Sequence, residues 1–366
     1  MNRRNVDEGA GFAGALGALG GLGGHVGAPQ VEIPRRGLRR ALFRRLFLPQ
    51  LARIVRDRLH DADRREAVFV SLMGGVGDLV NAFPSIERLA AAHPVDMATG
   101  HDPYRALVRE NPHVRRVYSP FVYKPIRRAH RRLIERALGP FYARVILLDE
   151  PDSAWRTRDR HMSAVYAERC GCPPPARGAV YLSRAGRERA AALLARLGVD
   201  EYVFVVQLVR RTRPERSWPL PHYHTLYARL RDRSGVALLV YTHSSDETAV
   251  PEFCTKLEPL DILTVAALIE RARLYIGPDT GPTHIAAALE VPTVAIHLGY
   301  PPEACGALGD NVALVRQRRP LDDPALTSPD DVLDAVERLE ACRSISRSAT
   351  VVPGRSEHRG AWGARG

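Results

Sequence analysis

The chain has 366 residues, 45% of them hydrophobic, enough apolar side chain to fill two domain cores of ordinary size. Its formal charge of +12 points to an anionic partner such as a nucleotide, a nucleic acid, a phospholipid or an acidic glycan, although an arginine excess in an alanine-rich chain is also what a coding bias produces. No apolar run reaches the ~18 residues that span a bilayer, and the five cysteines, at 170, 172, 254, 305 and 342, show no zinc spacing and fit reduced thiols in a cytoplasm.

Residues 1–34 contain the Gly/Ala tract GAGFAGALGALGGLGG and predict a disordered tail. Asp7 and Glu8 separate this tract from Asn2-Arg3-Arg4, which argues against a secretory signal. Residues 35–65 are basic and amphipathic. Leu38, Leu42, Leu46 and Phe47 recur at helical spacing between arginines, Pro49 breaks the run, and Leu51, Ile54, Val55 and Leu59 begin another. Within it, 35–60 either lies in the headgroup layer of an anionic membrane or packs on the following domain with its arginines in water.

From 66 the pattern alternates. Strands are predicted at 67–72, 95–99, 115–118 and 145–148, and helices at 78–92, 103–110, 127–138 and 157–168, up to the break Pro173-Pro174-Pro175. A second alternation follows, with helices at 184–197, 221–233, 265–271, 282–289 and 329–342 and strands at 202–208, 236–241, 274–276 and 291–296. Strand–helix alternation predicts parallel sheets covered on both faces. Two such blocks, 66–183 and 184–342, predict two Rossmann-like domains with a ligand cleft at the carboxyl ends of their strands. Residues 343–366 read as a second disordered tail.

The first loop, SLMGGVGDLVNAFPS, follows a strand and opens a helix. It is not a dinucleotide fingerprint, because Gly75-Val76-Gly77 is followed by Asp78 and no third glycine, and no acidic residue stands convincingly about 20 positions on. Asp78 at a helix start would also repel a pyrophosphate, while suiting the helix dipole. Two readings remain: Asp78 caps the helix, or it stands at the cleft edge and takes a proton from an incoming hydroxyl. The second loop, GPDTGPTHIAAALEVPTVAIHLG, has Pro282 at the first helical position and Thr280 or Gly281 as cap. The amides of Gly281, Thr283 and His284 would then face the cleft as an anion site suited to a diphosphate, unless Asp279-Thr280 merely cap the helix.

The element Asp279-Thr280-Gly281-x-x-His284-x-Ala286-Ala287, followed by Val291-Pro292-Thr293, resembles the donor motif of glycosyltransferase family 9, the ADP-heptose heptosyltransferases of lipopolysaccharide core assembly. Gly77-Asp78 before Pro84, and Arg216-Ser217-Trp218-Pro219, resemble two further motifs of that family, in register over about 67–340. The resemblance implies a GT-B fold with the acceptor on the N-terminal side and the nucleotide sugar on the C-terminal side. It implies an inverting, metal-independent transfer with no cofactor, from ADP-heptose or a related donor to a hydroxyl of a glycan, lipid-linked glycan or metabolite. Asp78 matches the catalytic base; Arg216, Asp279, Thr280, Gly281 and His284 match the donor site; Gly75 and Gly77 belong to the acceptor-side loop. Arg216 stands where the family usually has lysine, and its fork offers two bonds to phosphate oxygens.

The chain departs from the family at Thr242-His243-Ser244-Ser245-Asp246 and at His297-Leu298-Gly299-Tyr300-Pro301, both near the expected nucleotide pocket. Tyr300 either stacks on a base or shields the core. Arg127, Arg128, Arg131 and Arg132 either dock an anionic acceptor or form a solvated helix face. The resulting expectation is a cytoplasmic enzyme, peripheral on the inner face of the membrane if 35–60 binds it; the alternative is a non-catalytic nucleotide-sugar-binding protein of the same fold. Nucleic acid is not expected as a partner, since the basic runs lack interleaved aromatics and any reader motif.

Overall fold

A computed structural model describes residues 47–63, 65–100, 102–121, 128–149, 160–209, 213–242 and 249–349. The expected tail at 1–34, residues 35–46 of the basic segment, Arg127 and residues 243–248 lie outside them.

The N-terminal sheet has four parallel strands, β1 (Val68–Ser71), β2 (Val95–Ala98), β3 (Arg116–Tyr118) and β4 (Arg144–Leu147), in the order β3-β2-β1-β4. The C-terminal sheet has six, β5 (Tyr202–Gln207), β6 (Ala237–Thr242), β7 (Thr255–Leu257), β8 (Leu274–Pro278), β9 (Thr293–His297) and β10 (Val312–Arg316), in the order β10-β9-β8-β5-β6-β7. The central strands β1 and β5 read VFVS and YVFVVQ and are buried throughout, as continuous apolar runs between two helical layers should be. Each sheet reverses its strand order once, between β1 and β4 and between β5 and β8. The crevices at the carboxyl ends of those pairs are where an open α/β sheet binds ligands.

Helix α1 (Leu48–Leu59) precedes the first strand. Phe47, Leu51 and Ile54 are buried with Phe69, Phe121 and Tyr142 in one cluster, while Arg53 and Arg56 face water. Packing on the following domain, one of the two readings of segment 35–60, therefore holds for Phe47, Leu51 and Ile54, while Leu48 and Leu59 remain exposed. Arg58 of α1 is also fully buried, and it donates to Asp61 at 2.5 Å, to Asp63 at 3.0 Å and to the Phe141 carbonyl at 3.4 Å. A charge in such a place needs all of these acceptors.

Helix α2 (Val76–Ala90) is apolar around most of its circumference because it serves two cores. Leu79, Ala82, Phe83, Ile86 and Leu89 pack into the N-terminal domain, whereas Val76 and Val80 pack with the C-terminal cluster of Phe204, Tyr275 and Ile285. The N-terminal domain is completed by α3 (Tyr104–Glu110), α4 (Arg128–Leu138) and α5 (Met162–Cys170). The second contains α6 (Arg184–Leu197), α7 (Leu220–Ser234), α8 (Ile262–Glu270), α9 (Gly281–Ala288), α10 (Pro302–Cys305) and α11 (Pro329–Ala349). Helix α11 continues to Ala349, so the tail expected from 343 begins helical. Among the described residues no helix is long and apolar enough to cross a membrane.

Candidate functional site

At the N-terminal crevice the glycine loop ends in Gly75, which caps α2 with extended backbone. Asp78 is therefore not the cap but the third residue of the helix. Its Oδ2 accepts the Gly75 N–H at 2.6 Å, half of a capping box. Its Oδ1 accepts the Tyr166 hydroxyl of α5 at 2.6 Å. Both oxygens are held, yet a carboxylate has about four lone-pair sites, so each can still accept a substrate hydroxyl. Tyr166 carries no signal in the sequence that links it to Asp78.

Asp149, just past β4, shares this crevice. Its Oδ1 accepts the Met73 N–H at 2.7 Å and its Oδ2 the Ser71 hydroxyl at 3.4 Å, so it ties down the loop that carries Asp78. Desolvation, together with the negative charge of Asp78, pushes its carboxyl up to about 7 against the lowering bonds from Met73 and Ser71. Arg131 of α4 donates to the Leu147 and Asp149 carbonyls at 3.3 and 2.9 Å, and Arg169 donates to Leu147 and Leu148 at 2.9 Å each. Arg131 thus closes the end of β4. Arg132 remains exposed, and the side chain of Arg128 lies outside the description.

A group whose folded pKa is raised contributes stability that is complete below its unfolded value, ordinarily near 3.8, and is lost as pH rises through the folded value. Asp149→Asn cannot ionise and still offers an oxygen to Met73. Its melting temperature relative to the wild type is expected to rise between pH 5 and pH 8. A difference that stays flat over this window, followed by scanning calorimetry, contradicts the raised pKa.

At the C-terminal crevice Asp279 follows β8. It receives Arg216 at 2.8 Å, and His284 Nε2 and His297 Nδ1 lie 3.6 and 3.9 Å from its Oδ1. Burial raises its pKa, but His284, His297 and Arg216 together outweigh burial and hold it at about 2. Arg216 ends a single 3-10 turn, Pro214–Arg216, and its guanidinium lies 4.7 Å over the Tyr300 ring. Trp218, fully buried two residues on, donates to the Thr327 carbonyl at 2.7 Å and anchors the loop. His297 is buried, which lowers its pKa more than Asp279 raises it, so the imidazole is neutral at physiological pH.

Thr280 caps α9, with Gly281 at the first helical position and Pro282 at the second, one place later than expected. The expectation of three free amides is also corrected. The N–H groups of Thr283 and His284 bond the Thr280 carbonyl at 3.1 and 3.4 Å. That leaves Gly281 as the loop amide outside this pattern, and charge on a diphosphate must be met chiefly by side chains.

The two crevices face each other through α2 and α9. A Cβ on Gly77 would lie 2.6 Å from His284 Cδ2, and one on Gly281 would lie 2.5 Å from Val76 Cβ. Any side chain at either position would wedge the domains apart. Gly77 is therefore a contact between the domains, and Gly75, also of the loop expected on the acceptor side, caps α2. A second bridge runs from His161, the cap of α5, whose Nε2 meets the Gly306 carbonyl at 2.8 Å. Burial outweighs that bond and lowers the His161 pKa to about 4, so the ring is neutral.

Asp279, His297 and Cys305 bring one ligand atom each to within 4.8 Å of one another. This oxygen–nitrogen–sulfur set suits zinc or iron, but a cation there would compete with Arg216 for Asp279.

Two parallel-stranded domains with facing switch points define the GT-B class. The solved structures agree on the fold. ADP-heptose lps heptosyltransferase II of Escherichia coli superposes with a TM-score of 0.60 at 16% identity, over 76% of this chain and 99% of that one. A glycosyltransferase family 9 structure from Veillonella parvula DSM 2008 gives 0.59 at 15% identity, over 75% and 97%. More particularly, the sequence model of glycosyltransferase family 9 (heptosyltransferase) matches residues 157–328, a little under half of the chain. Lipopolysaccharide heptosyltransferase 1 of E. coli K12 is 26% identical over 133 residues, which are 34% of this chain and 41% of that protein. The chain thus aligns with less than half the length of this curated relative.

Proposed function

We propose that the protein is an inverting glycosyltransferase that moves a sugar, heptose, from ADP-heptose to a hydroxyl of a glycan or lipid-linked glycan. The observation that carries the reading is the packing of α2 on α9, which sets a held carboxylate, Asp78, at one crevice beside a second crevice built on the Arg216–Asp279 ion pair and His284. In this reading the donor diphosphate lies against Arg216, Gly281 and His284. Asp78 takes the proton from the acceptor hydroxyl as oxygen attacks the anomeric carbon, and the bond to the diphosphate breaks on the opposite face. Charge that develops on the leaving ADP meets the Arg216 fork, with no cofactor and no metal needed for that role. The heptosyltransferase relatives and the ADP-heptose named for one of them support this donor. The site of action we propose is the cytoplasm. Peripheral contact with the inner membrane face through 35–60 is part of this proposal.

A thermal-shift screen against ADP, UDP, GDP, CMP and NAD tests the donor. A ligand that binds only the native state at about a hundredfold its dissociation constant stabilises by about 2.7 kcal/mol. A selective rise of several degrees with ADP is the expected result. A rise with UDP or GDP instead overturns the base, and no rise with any nucleotide overturns the donor site.

A further inference from the structure

Asn81 lies three residues after Asp78 on the same helix and is 1% exposed. Its amide nitrogen faces two groups at 3.3 Å, the Sδ of Met162 on α5 and the Nδ1 of His284 on α9. A thioether can only accept, so the nitrogen end of the amide, not the oxygen, is turned to this side. The same nitrogen then donates its second hydrogen to His284 Nδ1, which must be the unprotonated ring nitrogen. A neutral imidazole with Nδ1 as acceptor carries its hydrogen on Nε2. That Nε2 is 3.6 Å from Asp279 Oδ1, beyond a good hydrogen bond, and on the side of the ring where Gly77 would bring a Cβ to within 2.9 Å.

We propose that Asn81 is a positioning residue that crosses between the domains to fix His284 as the Nε2–H tautomer, so that the ring presents a donor hydrogen to an oxygen of the nucleotide diphosphate. The inference rests on the reading of the Asp279–His284 loop as the donor site. It links the helix that carries the proposed base to the loop that holds the donor. The packing of α2 on α9 brings the amide to the ring. Met162 is the third member, since its sulfur fixes which way the amide points.

Long-range proton–nitrogen NMR spectra of the full chain, with His284 assigned by comparison with His284→Gln, read the tautomer without substrate, and calorimetry reads the affinity for ADP. The wild type is expected to show a single Nε2–H tautomer. Asn81→Leu, which fills the space without donating, is expected to mix the tautomers and weaken ADP binding about tenfold. Asn81→Asp, whose carboxylate only accepts, is expected to place a proton on Nδ1. Met162→Leu removes the sulfur that orients the amide and is expected to let it turn, mixing the tautomers. An Nδ1–H tautomer in the wild type overturns the proposal, and that observation needs no variant to fold. An ADP affinity in folded Asn81→Leu within twofold of the wild type also overturns it, whichever tautomer is seen. Failure of the wild type to bind ADP removes the donor-site reading instead, and the ligand-free spectrum tells the two failures apart.

Discussion

Asp78→Asn is expected to lower sugar transfer by about a thousandfold or more while leaving the affinity for ADP within about twofold. General bases contribute about 10² to 10⁴ in rate, and an amide in this place accepts hydrogen bonds but takes no proton. The helix start should survive the change. The amide oxygen can still accept from the Gly75 N–H, and the Tyr166 hydroxyl can turn to accept from the new NH₂. The expected loss of stability is therefore about 1 kcal/mol. Transfer at the wild-type rate removes Asp78 as base. A wild type that binds ADP but transfers nothing to any acceptor favours the non-catalytic binding protein of the same fold.

Arg216→Ala is expected to weaken ADP binding and to lower the transfer rate by about a hundredfold or more, since loss of one charged donor at a developing negative charge costs roughly that much. The substitution has a second consequence, because it leaves Asp279 with only His284 and His297 beside it. A structural effect must therefore be separated from a catalytic one. In the double variant Arg216→Ala with Asp279→Asn the unpaired charge is gone. Stability is expected to recover, whereas the rate is not. Arg216→Lys keeps the charge without the fork and is expected to fall between wild type and alanine. Recovery of the rate in the double variant assigns Arg216 to stability alone.

Much of the architecture is legible in the sequence because its central strands are short apolar runs and its helices are amphipathic. The helix predicted at 184–197 is observed at Arg184–Leu197, where Ser183 caps the start and Gly198 ends it with left-handed backbone. Strands β7 and β10 were not predicted. TKL and VALVR lie at the two edges of the sheet, where burial is partial and the pattern weak. Helix α7 begins at Leu220, next to its prediction, although its face against the sheet is made of Tyr223 and Tyr227 as well as leucines.

The site was legible only in part. Asp78 and the Asp279–His284 loop stand out because glycine and proline flank them. Their partners are ordinary residues made important by tertiary contact. Tyr166 reaches Asp78 from another helix, His161 follows the charged run Arg158-Asp159-Arg160, and His297 is a single histidine in an apolar run. Asn81 left one signal, a polar residue one turn from Asp78 in the apolar stretch Leu79–Phe83. The free amides expected in the donor loop failed for a local reason, since a cap at Thr280 lets its carbonyl accept from Thr283 and His284.

Metal-independent sugar transfer with inversion is measured directly with ADP-heptose labelled in the sugar. The purified chain is incubated with this donor and a panel of free and lipid-linked glycan acceptors, with and without excess chelator. Label is expected to enter an acceptor with inverted anomeric configuration at a rate the chelator does not change. Retained configuration, or transfer that stops with chelator and returns with added metal, contradicts it and in the latter case shifts the chemistry to Asp279, His297 and Cys305.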